Sequence, residues 1–276
     1  MIFPPVSVLL PVYNGEKHVA AAIESVLGQT FSEFKLLVID DCSTDSSMEI
    51  VRSFGDARIE ILKNDENMGL SAALNRGIEY CRSKFIARMD CDDICLPFRL
   101  EKQYEYMTAR PEISICGSYV EAFGGCENSL WKYPLENDDI KCELIFNNAF
   151  AHPSVMLRRE DFVSRGLFYD EGFKRAQDYE LWSRASRSLS MGNLDIVTLK
   201  YRVPASAGDG NTKKEGFADK VRLELLKAIV SEVTPRELEL HKALAGWNLT
   251  GDKIFVYDCI NWLLKLYHAN RAVKVY

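Results

Sequence analysis

Three carboxylates crowd into four residues at Asp90-Cys91-Asp92-Asp93, directly after the apolar run Phe85-Ile86-Ala87. Such a run reads as a short buried strand. Acids packed at its end repel one another and lose hydration, so they call for a compensating positive charge. A divalent cation meets that need, because hard ions take oxygen ligands from one or two carboxylates together with substrate phosphates. The plainer alternative is an Asp-rich turn, since Asp initiates turns and caps helices. An isolated Asp-x-Asp would favour the turn. The buried strand in front and the polar clusters upstream favour the cation.

Two such clusters come earlier, Tyr13 with Asn14 and Asp40 with Asp41. Later in the chain His152 sits in the apolar stretch Ala151–Leu157, and Asp178 stands near the start of the helical stretch Arg175–Arg184. Trp182, four residues beyond Asp178, falls on the same helical face.

The elements that must position these groups follow from periodicity. Val6–Leu10 reads as a strand closed by Pro11, and Glu16–Gln29 as a helix with Val19, Ala22, Ile23 and Val26 on one face. Phe34–Ile39 is nearly unbroken in hydrophobicity, as a parallel strand covered on both faces should be. A helix through Met48, Val51 and Phe54, a strand Ile59–Leu62 and a helix Leu70–Cys81 lead to the strand Phe85–Ala87. This alternation predicts βαβ units in a doubly wound, mostly parallel, Rossmann-like α/β sheet. Ligands bind such sheets outside the carboxyl ends of the strands, near a switch in strand order. All three polar clusters sit just after strands and are expected to face one crevice.

The second half is more mixed. Strands are expected at Ile113–Gly117, Tyr119–Phe123, Ala151–Leu157 and Ile196–Arg202, with a helix around Ile140–Leu144. Residues 205–215 read as a mobile loop, and the text from Phe217 onward as helices broken near Pro235 and Gly251. We divide the chain into a half spanning 1–105, a second half spanning 106–205, and a loop with C-terminal helices over 206–276.

At 276 residues, 47% hydrophobic and 27% charged, the chain has the composition of a soluble globular protein with ample core. A net charge of -6 argues against a nucleic-acid binder, which would present a basic face. Met1–Pro5 carries no signal-peptide pattern, and no window reaches the roughly 18 apolar residues of a membrane span. The eight cysteines lack zinc spacing and are expected as reduced thiols in a cytoplasmic protein. Within Lys253–Arg271, Ile254, Tyr257, Ile260, Leu264 and Tyr267 recur at helical spacing among basic residues. That helix either covers the core or also makes peripheral contact with the inner face of a membrane.

Several motifs in register carry a family likeness: Val6–Asn14 with Glu16, the run Val38-Ile-Asp-Asp-Cys-Ser-Thr-Asp45, Asn67-Met-Gly69 with Asn75 and Gly77, Ala87–Asp93, His152-Pro-Ser-Val155, and Gln177–Trp182. Together they resemble the family 2 glycosyltransferases of GT-A fold, and most closely the bacterial enzymes that build surface polysaccharides. The likeness covers about three-quarters of the chain. It implies an inverting transferase moving a sugar from a nucleotide-sugar donor, UDP-linked by preference, to a carbohydrate or lipid-linked acceptor hydroxyl with Mn2+ or Mg2+.

Carried over by position, the likeness implies that residues 1–105 bind the nucleotide-sugar and 106–205 the acceptor. Pro11 and Tyr13 would border the base, with Tyr13 stacking, and Asp41 would accept from its imide. Glu16, Gly69 and Arg88 would belong to the donor site. Asp90 would reach the ribose or the metal, Asp92 the metal, and Asp178 would be the general base. His152 and Trp182 would lie near the acceptor or the diphosphate, and Trp131 with Trp182 could form a platform for a sugar ring.

Two departures stand out. Cys42 replaces a glycine usual after the paired aspartates, and Tyr201–Pro204 lacks a histidine usual after the late strand. Lys213 or Lys214 is expected to compensate for the latter. Two rivals remain: a sugar nucleotidyltransferase, which would need a Gly-rich basic loop absent from Pro11–Glu16, and a catalytically silent binding module on the same fold.

Overall fold

The computed structural model describes residues 3–205 and 211–274, the side chains of 211–215 excepted. In chain order the elements are β1 (Val6–Val12), α1 (Val19–Leu27), β2 (Phe34–Asp40), α2 (Ser47–Ser53), β3 (Ile59–Lys63), α3 (Leu70–Tyr80) and β4 (Phe85–Arg88). Then come β5 (Ile94–Cys95), α4 (Arg99–Ala109), β6 (Ile113–Gly124), β7 (Ser129–Trp131), α5 (Asn137–Phe146), β8 (Met156–Arg158), α6 (Arg159–Val163), α7 (Gln177–Ala185) and β9 (Ser190–Val203). Three helices follow: α8 (Asn211–Ile229), α9 (Pro235–Ala245) and α10 (Lys253–Val273).

The sheet runs β3-β2-β1-β4-β8-β6-β9-β5, with β7 paired to β6. Its first four strands are parallel; β8 is antiparallel to both β4 and β6, and β5 is antiparallel to β9. The chain winds outward from β1 to β3 and returns on the other side for β4, so strand order switches between β1 and β4. A crevice must open at that switch. This is the α/β, mostly parallel doubly wound sheet with a mixed second half and C-terminal helices that the pattern predicts.

Alternation along the strands sends side chains to two cores. Leu9, Leu37, Ile39 and Ile86 pack one face against α3, α7 and α8, while Val8, Leu10, Val38 and Phe85 pack the other against α1, α2 and α4. Gly77 lets α3 approach the sheet, since a Cβ there would stand 2.6 Å from Ile39 Cδ1. A third cluster joins α5, α8, α9 and α10 through Ile145, Leu226, Leu240 and Trp262. Inside it His241 Nε2 donates to Ile145 O (2.9 Å) and Nδ1 accepts from Trp262 Nε1 (3.2 Å).

Several expected bounds shift. β1 continues through Pro11, because β4 ends opposite Leu9 and leaves the missing N–H of Pro11 without a partner to disappoint. The two strands expected over 113–123 are one strand with register irregularities around Tyr119. Ala151–Leu157 is no continuous strand: Pro153 sets a 3-10 turn over His152–Ser154, and β8 begins only at Met156. Of the loop expected over 205–215, residues 206–210 lie outside the described residues, and helix α8 begins at Asn211. Lys213 and Lys214 fall among the side chains outside the description.

Candidate active site

Loops at the ends of β1 and β2 are laced to each other. Asn14, held at φ 52°, accepts from Thr44 N (2.8 Å). Gly15 N donates to Ser47 Oγ (2.8 Å), Glu16 N to Asp45 Oδ2 (3.0 Å), and Ser46 N to Glu16 Oε2 (3.1 Å). Glu16 therefore fastens the start of α2. Cys42 sits at φ 64°, in the left-handed region where a side chain is strained and glycine is at ease.

Asp41 is buried and pins the turn before α3. Its Oδ1 accepts from Asn64 Nδ2 (2.7 Å) and Met68 N (2.9 Å), and its Oδ2 from Gly69 N (2.8 Å). A carboxylate offers about four acceptor positions, so one on Oδ2 remains open. Tyr13 is half exposed beside these loops and free to offer a ring face.

At the end of β4 the side-chain oxygens of Asp90, Asp92 and Asp93 lie within 4.8 Å of one another. Arg88 is buried and grips Asp90 through two bonds, Nη2–Oδ1 at 2.5 Å and Nη1–Oδ2 at 2.6 Å. Asp93 is 1% exposed; its Oδ1 accepts from Arg202 N (2.7 Å), and its Oδ2 has no partner. Burial, and then Asp90 alongside, push the Asp93 carboxyl up to about 8. The same two causes raise Asp92. A buried oxygen without a donor, next to two more carboxylates, is the arrangement a hard divalent cation relieves, and the all-oxygen donor set suits Mg2+ or Mn2+. The residues present fit the metal that the family likeness implies. Asp93 belongs with Asp90 and Asp92 in that group, and its only sequence sign was adjacency.

A cavity of about 600 Å³ opens beside this cluster. Arg88, Asp90, His152 and Asp178 share its wall with Trp131, Tyr133, Tyr201 and Arg222, and Leu70 brings in the edge of the turn that Asp41 holds. Asp92 reaches the cavity only through its neighbour Asp90, while Pro11, Tyr13, Glu16, Asp41 and Gly69 stand apart along the strand ends.

Asp178 lies in the first turn of α7, entered through Ala176 at φ 55°. Asn148 Nδ2 donates to Asp178 Oδ2 at 2.6 Å and fixes the carboxylate's orientation. Burial raises the Asp178 carboxyl above the usual range, against hydrogen bonding and the nearby Arg88, which lower it. A carboxylate whose proton affinity is raised in this way is a better general base than one in free solution. Asn148 escaped the sequence reading; its sign was a polar pair, Asn147-Asn148, set between apolar runs.

His152 is buried and its Nε2 pairs with the Tyr169 hydroxyl at 2.8 Å. Burial and Arg88 hold its pKa well below the ordinary value, so it stays neutral. Tyr169 is itself held by Asn75, which accepts from Tyr169 N (2.8 Å) and donates to Tyr169 O (2.9 Å). Trp182 departs from expectation. It is fully buried beneath Phe150, Phe162 and Tyr169, and offers no face to a ligand. Trp131 does line the cavity, tilted against Tyr201 with ring centroids 5.2 Å apart.

Comparison with known proteins agrees with this geometry. The profile of Glycosyl transferase family 2 matches residues 7–167. The Erwinia amylovora amylovoran biosynthesis glycosyltransferase AmsE is 34% identical over 76% of this chain and 80% of its own length. The Escherichia coli UDP-Glc:alpha-D-GlcNAc-diphosphoundecaprenol beta-1,3-glucosyltransferase WfgD is 30% identical over 76% of this chain and 81% of its own. The crystal structure of S. aureus TarS 1-349 in complex with UDP-GlcNAc superposes with a TM-score of 0.67 at 17% identity, covering 96% of this chain and 81% of that one, a likeness of fold. The fold is that of a GT-A glycosyltransferase, and the chain belongs to glycosyltransferase family 2.

Proposed function

We propose that this enzyme transfers a sugar, with inversion, from a nucleoside-diphosphate sugar to an acceptor hydroxyl in the synthesis of a surface polysaccharide. The observation carrying the proposal is that Asp90 and Asp178 face one cavity, one from the acidic cluster at a strand end and the other from a helix. Tyr13 offers a stacking face to the base. Asp41, buried with one acceptor position open, accepts from the base imide, and Pro11, Glu16 and Gly69 shape the loops around it.

Asp90, Asp92 and Asp93 would hold Mn2+ or Mg2+, which supplies positive charge against the diphosphate as it departs. Asp178 removes the acceptor hydroxyl proton with the oxygen poised behind the anomeric carbon. The new C–O bond forms as the bond to phosphate breaks, and the electron pair leaves with the diphosphate. Only one carboxylate is needed, because the donor leaves as an anion and requires no acid. Arg88 keeps Asp90 oriented, and neutral His152 with Tyr169 presents polar atoms beside the acceptor or the diphosphate. Trp131 and Tyr201 form an aromatic wall on which a sugar ring can rest.

The donor is a UDP-sugar by preference, as named for WfgD and for the TarS complex. The acceptor is a carbohydrate or lipid-linked saccharide, met in the cytoplasm at the inner face of the membrane. A thermal-shift panel of UDP, GDP and dTDP with and without Mn2+ tests the reading. UDP with Mn2+ should raise the melting midpoint most, because a ligand selective for the native state stabilises it in step with its affinity. Indifference to every nucleoside diphosphate at millimolar concentration would overturn it.

A further inference from the structure

Helix α10 has two apolar faces, and the fold uses one. Cys259, Trp262 and Leu266 turn inward against α8 and α9. On the other side Val256, Tyr257, Ile260, Leu263, Leu264 and Tyr267 are each between 40% and 66% exposed. At about 100° per residue these six span an arc of roughly 120°. In the loop just before the helix Trp247, at φ 53°, is 83% exposed and Leu249 is half exposed. Apolar side chains at this density on one face of a soluble fold mark an interaction surface.

Charge says what covers it. Residues 253–274 carry four Lys or Arg against one Asp, in a chain whose net charge is -6. The single acid, Asp258, is turned aside and paired with Arg236 (3.0 Å), and Lys265 is paired with Glu237 (2.7 Å). Lys253, Arg271 and Lys274 remain at the two ends of the apolar arc; the N-cap Asp252 stands beside Lys253, its carboxylate accepting from Phe255 N (3.0 Å). A second copy of this helix would bring basic end against basic end in the antiparallel pairing, and like against like in the parallel one. An anionic bilayer matches both ends at once, and tyrosines and a tryptophan at the rim suit the headgroup level. Among the described residues no helix is long and apolar enough to cross a membrane, so the contact lies in the interfacial plane.

We propose that the outer face of α10, with Trp247 as an added anchor, docks the enzyme on an anionic lipid surface. The docking rests on the glycosyl-transfer reading only for its purpose, which is to hold the active-site cavity near a membrane-borne acceptor. Helix α8 makes the connection: Ala218 and Arg222 line the cavity, and Leu226 and Ile229 pack in the cluster that seats α10.

Flotation with phosphatidylcholine vesicles, with and without 30% phosphatidylglycerol, tests the docking without any sugar substrate. The full chain should float with the anionic vesicles, release as salt is raised, and bind neutral vesicles at least about tenfold more weakly. The double variant Ile260→Gln/Leu264→Gln should lose flotation about tenfold or more while keeping its melting midpoint and its UDP response, because both side chains stand in solvent. Lys253→Gln/Arg271→Gln should lose only the anionic preference. A wild-type chain that stays with the soluble fraction overturns the docking, as does an Ile260→Gln/Leu264→Gln variant that floats unchanged. So does a dimer in light scattering that the same variant splits, which would assign the face to a second copy. Each of these outcomes leaves the transferase reading standing, since that is tested by nucleotide binding.

Discussion

The β4 end and the start of α7 both place carboxylates in partly dehydrated surroundings, and in both burial raises the carboxyl pKa. They differ in what answers the charge. Asp178 has a neutral amide, Asn148, donating at 2.6 Å, and it stands alone. Asp93 faces two more acids and keeps an oxygen with no donor. The first has its charge answered by a donor within the protein; the second keeps a buried oxygen that no described residue answers. A lone amide-held carboxylate and a crowded unsatisfied one are suited to different work, general base and ion cradle, although burial acts on both in the same direction.

The largest effect that would break this contrast lies at Asp178. Asp178→Asn keeps the volume and loses the base, so turnover should fall about a thousandfold with UDP binding unchanged. Steady-state kinetics beside calorimetric titration of UDP with Mn2+ would measure both. A variant retaining a tenth of its turnover would remove Asp178 from the role of base.

At the other site the corresponding change should do the opposite to stability. In Asp93→Asn the side-chain oxygen can still accept from Arg202 N, and the new amide can donate to Asp90 or Asp92. Removing one of three crowded charges should therefore raise metal-free stability by about 1 kcal/mol at pH 8, read by urea unfolding. Affinity for Mn2+, followed by the fall in the free-ion electron paramagnetic resonance signal, should drop at least about tenfold. A destabilised variant that binds Mn2+ normally would make Asp93 a structural residue and leave the cation to Asp90 and Asp92.

The same contrast shows how far the residues could be read without coordinates. Near-continuous apolar runs such as Phe34–Ile39 announce parallel strands, and the acids after them announce the crevice, because both signals are local. The first half of β9 gives no such sign. It carries the buried polar Asn193, whose Nδ2 donates to Pro134 O (2.7 Å), and Gly192, whose missing Cβ makes room for the Tyr106 hydroxyl. Helical spacing correctly set Trp182 one turn behind Asp178, but which part of that face meets solvent is a matter of packing. Asp178 projects from the open first turn, while Trp182 lies a turn deeper under Phe150 and Phe162. Asn148 was illegible for a related reason: its partner is thirty residues away, and only the closed fold makes the pair.

That pair supplies the smallest and most discriminating change. Asn148→Ala removes a hydrogen bond that favours the charged form of Asp178, and such bonds to charged groups contribute about 1.5–3 kcal/mol. Part of that loss is recovered by solvent in the opened space, leaving a rise of roughly one pH unit in the carboxyl. As the proposed general base Asp178 acts when deprotonated, so the acid limb of the kcat profile should move to higher pH by that amount. At a fixed pH on that acid limb turnover should fall about tenfold and recover as the pH is raised, with the KM for donor unchanged. Asn148→Asp would instead place a second acid against the first and reproduce at α7 the crowding seen at β4. Its acid limb should move further still. If both variants keep the wild-type pH profile, Asn148 only fills space, and the orientation of the base must come from α7 itself.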